Sequence, residues 1–418
     1  MGCLVALLGM LHHAAHAGEF NLVPSITARQ EYNSNINLEA RSKRAEDDFV
    51  SKIIPRLRST YRTERLTLGF SAEAVPTLYW KNDRRNAVDY SGGGELKYAL
   101  SPRWSTSART RFTVDNQPDR NIGTTGERAG DNRRYLTGTE VGLDYALTEI
   151  TTASLTLGYD RIDYVESGES DFQGFTVGAA LSRDLQQWLP RTVGQIGLGY
   201  GHYDYETAAI RSGHGSVGLK HRMTEAWDAS GILGARYTRS EYKQTVLRFV
   251  PPFFLVPETV DERSAGWGGV AQIDVSYTGA MTRYGLSALH DINVTFSDGP
   301  TELTSLRLSA THRIRDEWSA NLFAAWFWNR NEKGEFSSRR RDETTYTLSP
   351  SLSWTPLREW TFTGGCSFLR LHDNEENSTA ERFLVFLQAG FGMSLFDLLE
   401  SVSKTVGFYQ PGRPIFLD

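Results

Sequence analysis

Apolar and polar residues alternate along most of this chain. From Leu66 onward one set of positions reads Leu66, Leu68, Phe70, Ala72, Ala74, Pro76, Leu78 and Trp80, and the intervening set reads Thr67, Gly69, Ser71, Glu73, Val75, Thr77 and Tyr79. The same period of two runs through Thr151, Ala153, Leu155, Leu157 and Tyr159 against Thr152, Ser154, Thr156, Gly158 and Asp160. It returns at Trp267 to Tyr277, and again at Phe383, Val385, Leu387, Ala389, Phe391, Met393 and Leu395. In that last stretch Leu384 and Phe386 lead into Gln388, Gly390, Gly392 and Ser394 on the other face. Alternation at period two predicts strands that bury one face in an apolar medium. Strands of soluble sheets average about five or six residues, and several of these runs are about twice that.

The breaks between runs come in two kinds. Short ones fall at Arg62-Thr63-Glu64-Arg65, Ser101-Pro102-Arg103, Thr148-Glu149-Ile150, Thr224-Glu225, Arg315-Asp316-Glu317 and Pro356-Leu357-Arg358-Glu359. Between them lie long charged or Gly/Asn-rich segments such as NQPDRNIGTTGERAGDNRR and NRNEKGEFSSRRRDE. Short turns at one end and long loops at the other predict an all-β, antiparallel, up-and-down transmembrane barrel of about 18 strands (16 to 18), with both ends of the barrel chain on the periplasmic side. Trp104, Trp227, Trp318 and Trp360 each stand within two residues of a short break. Such a register suits an aromatic girdle at the membrane interface, where indole rings have one wet edge and one dry face.

Composition agrees. The chain holds 38 Gly, 21 Phe, 18 Tyr and 10 Trp among 418 residues, yet its mean hydropathy is −0.41. No apolar run reaches the roughly 18 residues that a spanning helix needs. A formal net charge of −5 supplies no basic field for nucleic acid. The N-terminal MGCLVALLGMLHHAAHA, apolar from Cys3 to Leu11 and ending Ala15-His16-Ala17, reads as a secretory signal over residues 1–17. The barrel is then expected over 18–396, with a periplasmic tail over 397–418. Phe396 is expected to close the final strand, with Gly390 and Gly392, as the signal for barrel-assembly machinery. Cys366 is the one cysteine of the mature chain, which leaves no disulfide framework and no Cys-rich metal site.

Three stretches resemble one family: Pro24-Ser25 running into Glu31-Tyr32-Asn33-Ser34-Asn35-Ile36, then Tyr61-Arg62-Thr63-Glu64-Arg65-Leu66-Thr67-Leu68, then Gln117-Pro118-Asp119-Arg120 after a strand. With these the chain resembles the β-barrel porins encoded with bacterial exopolysaccharide and PEP-CTERM systems, although that family often carries acidic residues at Asn33 and Ser34. The resemblance implies an outer-membrane barrel that takes part in making or exporting a surface polysaccharide. Its implied partners are the polysaccharide and periplasmic export components, besides the lipid bilayer and lipopolysaccharide.

Candidate chemistry is sparse. The histidines show no metal spacing, and no cofactor or catalytic group is expected. His202 and Asp204 share a face near a strand end, a position where polar residues are ordinary. Gly197, Gly199 and Gly201 fall at period two and so belong to a strand face, not a phosphate loop. Polar faces of the early strands carry Lys52, Arg56, Arg58, Glu73, Glu95, Lys97, Arg109, Arg111, Glu140 and Asp144. Opposite charges on neighbouring strands read first as a cross-strand ladder. The alternative is a basic stripe of Arg56, Arg58, Arg109 and Arg111 that guides anionic or sugar-rich solutes. A transport channel and a sealed structural barrel both remain open. Finally KQTVLRFVPPFFLVPETVDERS, Lys243 to Ser264, carries Phe249, Phe253 and Phe254 beside three prolines on the long-loop side. Its apolar residues are expected to fold inward as a lid or to meet a partner.

Overall fold

The computed structural model describes residues 18–40, 45–166, 170–206, 208–250, 254–294, 300–331 and 340–394. The expected signal, Phe396 and the tail from Asp397 lie outside these.

Among the described residues, 18 strands form one sheet, each paired with its sequence neighbours, and β1 pairs with β18 to close the cylinder. The strands are β1 (Glu19–Asn33), β2 (Asp48–Arg62), β3 (Leu66–Tyr79), β4 (Ala87–Ala99), β5 (Trp104–Asp115), β6 (Arg134–Thr148), β7 (Thr151–Tyr164), β8 (Phe172–Asp184) and β9 (Thr192–Tyr205). They continue with β10 (Ala208–Arg222), β11 (Trp227–Val250), β12 (Phe254–Thr278), β13 (Thr282–Asn293), β14 (Thr301–Arg313), β15 (Trp318–Asn331), β16 (Arg341–Leu357), β17 (Trp360–Asp373) and β18 (Ser378–Gly392). Every pairing is antiparallel, as in Ser25↔Gly392 and Arg29↔Gln388 at the seam. Closure leaves no sheet edge in the membrane zone, which is the condition for strands to cross lipid, where an unpaired N–H or C=O costs several kcal/mol.

The register assigns the faces. On β3, Leu68, Phe70 and Leu78 are exposed while Thr77 and Tyr79 are buried, so Leu66, Leu68 and Phe70 look outward. Pairing carries that assignment around the wall. On β18 the outward set is Phe383, Val385, Leu387, Ala389 and Phe391, and Gln388, Gly390 and Gly392 line the lumen. An apolar side chain left exposed on every second position would be unfavourable in water and is favourable against acyl chains.

Two aromatic belts bound this apolar wall. Trp104, Trp227, Trp318 and Trp360 each begin an ascending strand at the short-turn end and meet another ring across the ladder, stacked for Trp318 and tilted for the others. The pairs are Trp104–Tyr145 at 4.3 Å, Trp227–Tyr277 at 4.9 Å, Trp318–Trp354 at 5.8 Å and Trp360–Phe391 at 5.1 Å between centroids. A second belt includes Tyr200, Tyr237 and Trp267, with Tyr237–Trp267 at 5.2 Å. Ten residues separate Trp227 from Tyr237 along β11. A strand rising about 3.3 Å per residue at about 40° of tilt spans roughly 25 Å in that distance, the height of an apolar membrane band.

β11 and β12 overshoot the rim. Pairing with β10 stops at Tyr242 and pairing with β13 begins only at Ala271, while the two strands continue against each other to Val250↔Phe254. The segment expected to fold inward as a lid or to meet a partner is thus largely strand. Phe249 and Phe254 lie in a two-stranded ribbon, Phe253 is outside the described residues, and the ribbon side chains from Glu258 to Arg263 are exposed. Pro257 sits within β12 because that strand has no second neighbour there, and a missing N–H is tolerated on an open edge.

Candidate functional site

The lumen is crossed by a different segment. Residues 116–133, which join β5 to β6 at the long-loop end, turn into the barrel and dock on the far wall, β15 to β18. Near the root, the Tyr79 hydroxyl donates to Gln117 Oε1 (3.1 Å), and Gln117 Nε2 donates to Asp89 (3.2 Å). Arg134 grips Asp115 through two hydrogen bonds of 2.8 and 3.1 Å, fixing the base of the loop. Asp119 then accepts from Arg382 of β18 at 2.6 Å. Enclosure by the wall works to raise the Asp119 carboxyl, but Arg382 and Lys52 outweigh it and hold the group below its ordinary range. Ile122 enters an apolar cluster with Leu38, Leu369, Leu371 and Ala380.

At the tip the loop offers backbone carbonyls to the far wall. Asn329 Nδ2 donates to the Thr125 carbonyl at 2.7 Å, and the Thr345 hydroxyl to the Gly126 carbonyl at 2.5 Å. Gly126 has φ +77°, and a Cβ there would stand 2.3 Å from the Phe327 side chain, so only glycine fits this contact. Arg341 reaches Glu127 at 3.4 Å and Arg128 reaches Glu39 of the first loop at 3.2 Å. That first loop is tucked in as well: Asn35 donates to the carbonyls of Glu39 and Glu381, and Ala40 forms a bridge with Ala380. Buried carbonyls with no partner would cost about 1–3 kcal/mol each, so these polar anchors determine where the loop rests.

Below the loop the wall is polar and uneven. Lys52, Arg56 and Arg58 on β2, Glu73 on β3, Glu95 on β4, Arg109 and Arg111 on β5 and Glu140 on β6 all occupy the inward face. Most are neutralised: across strands by Lys52–Glu31 at 2.9 Å, Arg56 with Glu73, Arg109–Glu95 at 3.8 Å and Arg111–Asp160 at 2.7 Å, and within β4 by Lys97–Glu95 at 3.1 Å. Arg58, opposite Ser71, is exposed to the lumen without such a partner among the described residues. The arc from β14 to β18 is instead lined with hydroxyls and amides, bonded as Ser349–Ser367 (2.7 Å), Ser353–Thr363 (3.0 Å) and Thr311–Asn321 (3.0 Å).

His202 and Asp204, 3.1 Å apart, look outward near the rim. Gly199 faces the lumen beneath the His214 ring, which a Cβ would meet at 2.2 Å. Arg341 opens β16, Arg340 pairs with Glu375 at 3.0 Å, and Arg339 lies outside the described residues. Among the described residues no cluster of His, Cys, Asp or Glu could hold a metal ion. Sequence reasoning missed the inward course of 116–133, although the motif Gln117-Pro118-Asp119-Arg120 marks its start.

A closed barrel with a lipid-facing belt, two aromatic girdles and a polar, loop-crossed lumen has the architecture of an outer-membrane β-barrel. Residues 14–174, which end at the start of β8, match the family model described as "Putative beta-barrel porin 2". No curated protein matches the sequence. Similar solved structures include the outer membrane protein OpdK from Pseudomonas aeruginosa, at 11% identity and TM-score 0.45 over 89% of this chain and 99% of that one. OccAB4 from Acinetobacter baumannii aligns at 11% identity and TM-score 0.44, over 90% and 99% of the two chains. The siderophore receptor PirA from Pseudomonas aeruginosa aligns at 10% identity and TM-score 0.42, over 89% and 80%. A closed barrel with an apolar, lipid-facing wall places the chain in the cell outer membrane.

Proposed function

We propose that the barrel is a water-filled channel whose narrowest passage lies beside the 116–133 loop, and that it serves the traffic of a surface exopolysaccharide or its components. The observation that carries the channel reading is the loop docked on the wall of an otherwise polar lumen. A sealed anchoring barrel would need no graded polar lining, whereas a permeating solute exchanges its water for wall groups of this kind. The link to polysaccharide is supported by the resemblance of Glu31 to Ile36 and Gln117 to Arg120, two motifs that build the tucked loops themselves. Hydroxyls on β16 and β17 suit sugars, and Arg58 supplies a lumen cation that is free to meet an acidic residue of a polymer.

Ion selectivity tests this. Arg58→Glu should move the reversal potential in a salt gradient toward cations, while Arg161→Glu, on the outer face, should leave it unchanged. Acidic oligosaccharides added to the wild type should shorten open times more than neutral ones of equal length. Equal block by both, with no effect at Arg58, would favour a general small-solute porin.

A further inference from the structure

Just above the upper aromatic belt, the outer wall of β9 to β12 carries a row of cations. The register runs Tyr200, Gly213, Tyr237, Trp267 along the belt, then His202, Arg211, Arg239, Ala265 one step toward the cell exterior, then Asp204, Ala209, Glu241, Arg263. Parity sets these side chains outward, since their neighbours Ile210, Ser212, Thr238 and Ser240 are buried on the lumen side.

Arg211 is directly opposite both Arg239 and His202. Like charges at facing positions lie about 5 Å apart at Cβ and destabilise a sheet unless something neutralises them. The local carboxylates do this incompletely. His202 takes Asp204 at 3.1 Å, while Arg239 and Arg263 share Glu241 at 3.2 and 3.5 Å. Arg211 is exposed and has no carboxylate, hydrogen bond or ring partner among the described residues. Other cations of the outer rim differ in this respect: Arg161 pairs with Asp163 at 2.8 Å, Arg370 with Glu381 at 3.8 Å, and Arg330 lies over Trp328 at 5.9 Å.

We propose that Arg211 and Arg239 form a binding site for a phosphate group of the outer-leaflet glycolipid. The level fits: a ring belt marks the edge of the acyl region, and the next residues outward meet headgroup phosphates. The chemistry fits as well, because a phosphate monoester carries up to two negative charges and accepts bidentate bonds from guanidinium forks. Bound there, it replaces the repulsion between facing arginines with two charge-assisted contacts. This inference rests on the outer-membrane location and not on conduction.

The test is native mass spectrometry of the purified full chain in detergent, titrated separately with bisphosphorylated lipid A, dephosphorylated lipid A and inorganic phosphate. Wild type should retain the bisphosphorylated lipid and lose it when the phosphates are removed. The Arg211→Glu/Arg239→Glu pair, checked for heat-modifiable migration, should weaken retention about tenfold or more, the loss expected for two charge-assisted bonds. Arg211→Gln, a milder change that spares the fold, should weaken it less but measurably, and Arg161→Gln should not. Equal retention of dephosphorylated lipid, equal retention by the variants, or binding of inorganic phosphate to the exclusion of lipid would each overturn the proposal.

Discussion

An arginine at Leu157 should cost the barrel about 2–4 kcal/mol and sharply cut its assembly, while the same residue at Thr156 should be close to neutral. Leu157 lies mid-strand on β7, exposed toward lipid and flanked by Val141 and Val177. A guanidinium there has neither water nor a counter-charge at hand. Thr156 points the other way, between Gly142 and Gly178, where the wet lumen has room for a long side chain. The contrast repeats at Leu68 and Thr67 on β3. Urea unfolding in lipid vesicles, read by heat-modifiable migration, measures both. Equal losses at neighbouring positions would mean that the faces are assigned wrongly.

Gly126→Val should unseat the loop and raise the conductance severalfold. A side chain at φ +77° costs about 1–2 kcal/mol by itself, and the Cβ would overlap the Phe327 side chain. Overpacking adds about 1–3 kcal/mol, enough to exceed what two carbonyl hydrogen bonds return. The control lies in the same loop: a Cβ at Gly123 would meet nothing within 4 Å, so Gly123→Val should conduct as wild type does. Arg382→Ala, which removes the partner of Asp119, should resemble Gly126→Val. If planar-bilayer recordings give all three the wild-type conductance, the loop is no constriction.

Strands were legible because each residue of a membrane strand has only two directions to face, and the chain writes that choice at period two from Leu66 to Phe391. The lower belt was legible too, since its tryptophans sit beside short turns. The loop 116–133 was not, because nothing local marks its burial. It is polar and Gly-rich, its apolar contribution to the docked cluster is the single Ile122, and what holds it comes from Asn329, Thr345 and Arg382, more than 200 residues away. The segment Lys243 to Ser264 was legible only in part, for the opposite reason. Its apolar content and prolines point away from a membrane-spanning strand, and the chain instead builds an open-edged ribbon beyond the rim that accommodates Pro257. The upper belt had a signal that went unread: Tyr237 stands ten residues from Trp227 on one strand, and Trp267 ten from Tyr277 on the next.

The most direct measurement is a paired single-channel recording in planar bilayers, of the full chain and of a chain in which residues 120–128 are replaced by a short Gly/Ser link. The full chain should open in discrete steps, and the shortened one should open in larger steps while migrating as an intact barrel. Silence from both chains would contradict a channel altogether and leave an anchoring barrel in its place.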